Sequence, residues 1–184
     1  VLVHRQVERQ DAAAEEALGR PVASYTGLFR PAITELQKEN FQKRAQEDAQ
    51  DDKDAVWQNG GLWIPSGITV YSSLYLEGLT KALLKKGLVW EQQPIHSLDE
   101  LDTFDQIFLA AGAGIFSFAP PLPIYPVKGQ ALLCRSRGEP LPHSLASEGH
   151  ISLTETPGLY LVGSTYERTF SHPNPEPEKA LPLL

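Results

Sequence analysis

Asp105-Gln106-Ile107-Phe108-Leu109-Ala110-Ala111-Gly112-Ala113-Gly114 restricts the fold more than any other stretch. Ile107 to Ala110 is apolar without a break and then meets small residues and glycines. A run this short and this apolar is expected as a strand buried on both faces. The glycines at its end let a backbone or a ligand come close, because no Cβ stands in the way. A nucleotide cofactor needs such a bare backbone, and an ordinary tight strand exit has the same pattern. Spacing alone leaves both readings open.

Length allows one ordinary domain, or a domain with part of another, in 184 residues. With 41% apolar and 21% charged residues the chain is expected to bury a sizeable core. A net charge of −7 argues against a surface built mainly to hold nucleic acid, which needs a basic patch. Cys134 is the sole cysteine, so no internal disulfide can form. That fits a reducing compartment, and the expected location is cytoplasmic. Cys134 itself reads as a small apolar core residue. Methionine is absent, which is unusual at this length and points to a piece of a longer protein or to missing residues. The uncharged stretch from Gln106 to Val127 is interrupted by Gly112, Gly114, Pro120, Pro121, Pro123 and Pro126. Those residues break any helix there, so no membrane contact is expected. No signal peptide is visible.

Along the chain, Val1 to Val3 reads as the tail of a strand, and a helical stretch follows as far as Leu18. After Gly19-Arg20-Pro21 comes the small and apolar segment Val22 to Pro31, with Pro31 expected in the first turn of a helix. Ile33, Leu36, Phe41 and Ala45 form its apolar stripe, and Gln50 to Asp54 is a solvated loop. Asn59-Gly60-Gly61 signals a turn into the strand Leu62 to Pro65, and Ile68 to Tyr71 follows as an apolar stretch. The clearest helix starts at a Ser72 or Ser73 cap, lines one face with Leu76, Leu79 and Leu83, and pairs Glu77 with Lys81. Lys85 and Lys86 complement its dipole, and Gly87 stops it. Leu88-Val89-Trp90, Gln130 to Cys134 and Leu159 to Gly163 read as strands, with a turn at Pro157-Gly158. The tail from Ser171 is expected to be weakly structured. This order implies an α+β fold: a mixed, largely antiparallel sheet with helices on one side.

Few motifs carry chemistry. Gly112-Ala113-Gly114 lacks the third glycine and the helix of a dinucleotide fingerprint. The five histidines are too far apart in sequence for a metal site, and no serine nucleophile elbow exists. Gly163 to Arg168 is more informative. A strand there would put Tyr166 and Arg168 on one face, where a phenol and a guanidinium can clamp a carboxylate. The alternative is an exposed strand end with Arg168 paired to Glu167 or another acid.

Five segments, in order, resemble one family: Val22-Ala23-Ser24 through Pro31; Gly61 to Pro65 and on through the Leu76 helix; Phe108 to Ala113; Tyr125 to Gln130; and Leu161 to Thr165. The family is the FAD-dependent amine and amino-acid oxidoreductases, a group with glycine oxidase, D-amino-acid oxidase and sarcosine oxidase. The flavin domain of the bifunctional tRNA wobble-uridine enzyme looks particularly close. The resemblance implies a remnant of an α/β FAD-binding domain at about 20–60 and 105–118. It implies a substrate-binding sheet at about 61–104 and 119–170, and a tail at 171–184. Ala23, Ser24, Gly27, Leu28, Ala110, Ala111 and Gly112 would line FAD. Arg30, Tyr71, Tyr166 and Arg168 would contact a small amine or amino-acid substrate, with Lys128 given no role. The reaction implied is hydride transfer from a carbon bonded to nitrogen. No amino-terminal glycine-rich fingerprint is present, so the expectation is an inactive fragment that binds FAD poorly or not at all. Two alternatives stand beside it: tRNA wobble-uridine modification by the same family, with tRNA as partner, and a binding domain that has lost the cofactor.

Overall fold

In the computed structural model, which describes residues 11–50, 54–117 and 123–184, helix α1 covers residues 11–18. Strands β1 (Ala23–Ser24) and β2 (Leu28–Pro31) lead to α2 (Glu35–Gln50). Next come β3 (Val56–Gln58), β4 (Gly61–Ile64), β5 (Thr69–Val70) and α3 (Ser72–Lys85). After two 3-10 turns, at Leu98–Leu101 and Gly112–Ser117, the chain returns to strands. These are β6 (Ala131–Arg135), β7 (Ser144–Ala146), β8 (His150–Leu153) and β9 (Leu159–Gly163), followed by α4 (Pro177–Ala180).

β1 and β5 pair as an antiparallel ribbon, Ala23 opposite Val70 and Ser24 opposite Thr69. The other seven strands form one sheet in the order β3-β4-β2-β7-β8-β9-β6. Every neighbouring pair is antiparallel except β2 with β7. The chain is therefore α+β with a mixed, largely antiparallel sheet. β2 and β3 are hydrogen-bonded into the same sheet as β6 to β9, so the sheet draws on both parts into which the resemblance divides the chain.

Two small cores sit beside the strands. Ala45, Ala55 and Leu62 are buried where α2 covers β3 and β4, with Phe41, Trp57 and Ile64 around them. Ala14, Val22 and Leu74 are buried where α1 meets α3, with Leu18, Tyr71, Tyr75 and Leu79 around them. Gly78 lets these two helices touch: a Cβ there would come within 2.6 Å of the Ala14 carbonyl oxygen.

Several local signals hold. Asn59 and Gly60 take positive φ at the β3–β4 turn, Lys81 Nζ donates to Glu77 at 2.6 Å, and Gly87 (φ 91°) follows the end of α3. Other expectations are corrected. Pro31 closes β2 rather than opening a helix, and α2 starts only at Glu35. Thr34 Oγ1 accepts from the Gln37 amide, and Gln37 Oε1 accepts from the Ile33 amide, so the true cap lies three residues further on. Ile33 and Leu36 are exposed, and only Phe41 and Ala45 of the expected stripe pack. In α3 the buried face is Leu74 and Gly78, while Leu76 and Leu83 are exposed. Tyr71, not a serine, occupies the cap position and makes no side-chain bond.

The strand expected from Asp105 is absent. Among the described residues, 106–111 pair with no strand, Phe108 is 90% exposed, and Ala110, Ala111 and Gly112 are exposed as well. Leu88, Val89 and Trp90 are exposed too and join no strand among the described residues; the Leu88 amide donates to the Leu83 carbonyl at 3.0 Å. An apolar run becomes a strand only where a neighbour takes its backbone hydrogen bonds, and no described strand edge reaches either run. The tail differs in the opposite sense: it is ordered, forms α4, and is tied to the sheet. Val1 to Val3, Asp51 to Lys53, Pro120 and Pro121 lie outside the described residues. Among the described residues no helix is long and apolar enough to cross a membrane.

Candidate functional site

The end of β5 delivers the chain into α3 with Tyr71 between them, and the Tyr71 amide donates to the Val22 carbonyl at 2.8 Å. The start of α3 is thereby fixed beside β1. Its first turn holds no acid, and among the described residues no side chain caps its first amides.

Those amides open on a cavity of about 430 Å³ between the ribbon and the sheet. Thr69, Tyr71, Ser72 and Ser73 line it from the ribbon and α3; Leu28, Ser144, His150, Ser152, Thr154 and Glu155 line it from the sheet and the turn after β8. One hydrogen bond spans the two sheets: Thr69 Oγ1 lies 2.6 Å from Ser144 Oγ. Ser144 is buried and also accepts from the Leu153 amide at 3.0 Å. A second cavity of about 380 Å³, lined by Arg20, Ala23, Ser24 and Leu74, shares Tyr71 and Glu155 with the first. A third, of about 170 Å³, shares His150, Ser152 and Leu161 with it and extends to Gly163 and Ser164. The three are neighbours through these shared residues, with Arg20 and Ser24 on the second and Ser164 on the third.

Ala23 and Ser24 line the second cavity, Leu28 the first, and Tyr71 both. Gly27 lines neither: its φ is 83°, its amide donates to Gly67 at 3.2 Å, and the Trp63 indole covers it so closely that a Cβ would overlap the ring. Arg30 is engaged elsewhere, its guanidinium 4.8 Å from the Phe41 ring centroid. Tyr166 and Arg168 follow Ser164 in the chain but line none of the three cavities; the Arg168 guanidinium is 5.6 Å from the Tyr166 ring centroid. Glu167 does not pair with Arg168; its carboxyl is held below the usual carboxylate range, chiefly by a hydrogen bond from Lys179. Ala110, Ala111 and Gly112 line none of these three cavities.

Sequence reasoning missed Ser144, His150, Ser152 and Glu155. The alternation in His150-Ile151-Ser152-Leu153 after Glu148-Gly149 was the available signal for β8. Among the described residues no cluster of three or more His, Cys, Asp or Glu is arranged to hold a metal ion.

The sequence profile described as FAD dependent oxidoreductase matches residues 2–184. This chain belongs to the FAD dependent oxidoreductase family. A glycine oxidase from Pseudomonas aeruginosa is 35% identical over 69 residues, which cover 35% of this chain and 19% of that protein. The crystal structure of glycine oxidase from Geobacillus kaustophilus superposes with a TM-score of 0.73 at 16% identity, covering 91% of this chain and 55% of that one. That of glycine oxidase from Bacillus cereus gives 0.69 at 18% identity, covering 96% and 58%. The chain thus spans a little over half the length of these solved relatives.

Membership implies FAD, and the lining of these cavities fits part of it. Hydroxyls of Tyr71, Ser72 and Ser73 and the uncapped amides of α3 suit ribityl hydroxyls or phosphate oxygens. Glu155 is the one carboxylate lining the larger cavity, and Arg20 stands at the rim beyond it. The cavity volumes lie in or below the range of roughly 300–1,000 Å³ usual for small-ligand pockets. They suit a portion of a dinucleotide rather than all of it.

Proposed function

We propose that this chain is the sheet-bearing, substrate-facing part of an FAD-dependent oxidoreductase that oxidises a C–N bond of an amino acid or secondary amine. Family membership supports the flavin. The amine reading is supported by one observation: Arg168 lies over the Tyr166 ring, in the segment that follows the cavity-lining Ser164. FAD, when bound, supplies the hydride acceptor.

The chain's own residues do the positioning. Arg168 binds the substrate carboxylate through two parallel hydrogen bonds, and Tyr166 flanks it. Tyr71, Ser72 and Ser73 would hold polar groups of the cofactor, with Ala23 and Ser24 on the neighbouring cavity. Leu28, Val70 and Leu161 supply apolar wall that keeps water from the reacting carbon. No acid–base group is required beyond loss of the amine's own proton to solvent, so catalysis here is mainly orientation.

Calorimetric titration of the chain with N-methylglycine and with methylamine tests the reading. The expected result is saturable binding of N-methylglycine, none of methylamine, and loss of binding in Arg168→Ala. Equal behaviour of the two amines removes the carboxylate clamp.

A further inference from the structure

Residues 164–167 run on from β9 to the bridge between Lys128 and Glu167, Arg168 begins a bend, and exposure alternates along them. Thr165 and Glu167 are half-buried, while Ser164, Tyr166 and Arg168 are exposed. The inward pair is tightly held. Gln130 donates its amide to Thr165 Oγ1 at 2.9 Å and its Nε2 to Glu167 Oε1 at 3.0 Å. Backbone bonds of 2.9 Å join Thr165 to Gln130 and, in both directions, Lys128 to Glu167.

A chain of alternating charge runs through this seam. Lys128, its side chain only 5% exposed, is paired with Glu176 of the tail. Lys179, one turn further on, donates to Glu176 at 3.0 Å and to Glu167 Oε2 at 2.8 Å. The Glu176 amide in turn donates to Gln130 Oε1. Successive side chains of an extended segment point to opposite sides. Drawing the Glu167 carboxylate inward therefore turns Tyr166 and Arg168 outward together, where the guanidinium meets the phenol ring. Lys128 cannot release Glu176 without leaving a buried ammonium unpaired, so the tail is locked in place.

We propose that Lys128, Glu176 and Lys179 are positioning residues for the Tyr166–Arg168 pair, acting through Glu167. The tail thereby becomes part of the carboxylate-binding site. This inference rests on the reading of Arg168 as a substrate contact, and the variants below separate the two. Lys179 is 43% exposed, and replacing it leaves the Lys128–Glu176 pair intact.

The test is an NMR titration of the full chain with N-methylglycine, with circular dichroism as the check on folding. Lys179→Gln should weaken binding by about tenfold, the equivalent of one charge-assisted hydrogen bond. Lys179→Arg should restore it. The ring-current shift that Tyr166 imposes on the Arg168 side chain should collapse in Lys179→Gln and return in Lys179→Arg, a change that loss of stability alone does not produce. Glu176→Gln should behave as Lys179→Gln; if it fails to fold, Lys179→Gln decides. Arg168→Ala abolishing binding while Lys179→Gln binds like the native chain would overturn the positioning role and leave the clamp standing. Native-like binding in Arg168→Ala, or no binding by the native chain, would remove both.

Discussion

Ser144→Ala should cost far more stability than Thr69→Val, although the two hydroxyls share one hydrogen bond. Ser144 Oγ lies 2.6 Å from Thr69 Oγ1 and also accepts from the Leu153 amide at 3.0 Å. Removing it leaves two polar groups without their partner, each costing about 1–3 kcal/mol where water cannot reach it. Thr69 is only half-buried, so the lower end applies to its hydroxyl, and the expected loss is about 2–4 kcal/mol. Thr69→Val removes one net hydrogen bond and leaves Ser144 serving Leu153, a loss of about 1 kcal/mol. Urea denaturation followed by the fluorescence of Trp57 and Trp63, both half-buried in the sheet, measures the two. Against a total of about 5–15 kcal/mol the difference is readily resolved. Equal losses, or Ser144→Ala below about 0.5 kcal/mol, would refute the two-bond role of Ser144 and the view that this hydroxyl holds ribbon to sheet.

Three further outcomes follow from the same structure. Gly78→Ala gains about 1 kcal/mol of helix propensity but forces a Cβ onto the Ala14 carbonyl, so thermal unfolding should show a net loss of about 1 kcal/mol or more. Gly27→Ala meets both a positive φ and the Trp63 ring, and should cost about 3 kcal/mol with a visible change in tryptophan fluorescence. Hydrogen bonds from Lys128 and then Lys179 hold the Glu176 carboxyl down to about 2. A carboxyl depressed in the folded state stabilises it above its unfolded value, about 4.3, and that contribution drains as pH falls from there to about 2. Stability measured across that window should therefore decline more steeply in the native chain than in Glu176→Gln, and parallel curves would contradict the clasp.

What could be read from residues alone was whatever neighbours in sequence decide. β4 follows from Asn59-Gly60-Gly61, β6 and β9 from runs of strand-forming residues, and the end of α3 from Gly87. Contacts between distant segments decided the rest. The face of α3 was misread because what packs on it is Ala14, which selects Gly78 and Leu74 over the longer leucine row. The stretch at Asp105 has the composition of a buried strand, yet a strand is a property of two segments, and among the described residues no second one lies beside it. The tail looked loose because Lys128 and Glu176 are 48 positions apart. The site was legible in the same proportion. Ala23 and Ser24, expected beside the cofactor, line a cavity that shares Tyr71, expected beside the substrate, with the one that Leu28 lines, whereas Ser144, His150 and Ser152 come from two short strands with weak local signals.

The central claim, that the cavities at the amino end of α3 are the flavin-facing surface of this chain, is tested most directly by mapping backbone amide shifts during titration with FAD. Weak, fast-exchanging binding is predicted, with shifts concentrated at Ser24, Leu28, Tyr71, Ser72 and Ser73. Shifts confined to the cavity of Phe29, Gln58, Trp63 and His143 on the opposite face of β2 would contradict the account, as would an absence of shifts at saturating FAD.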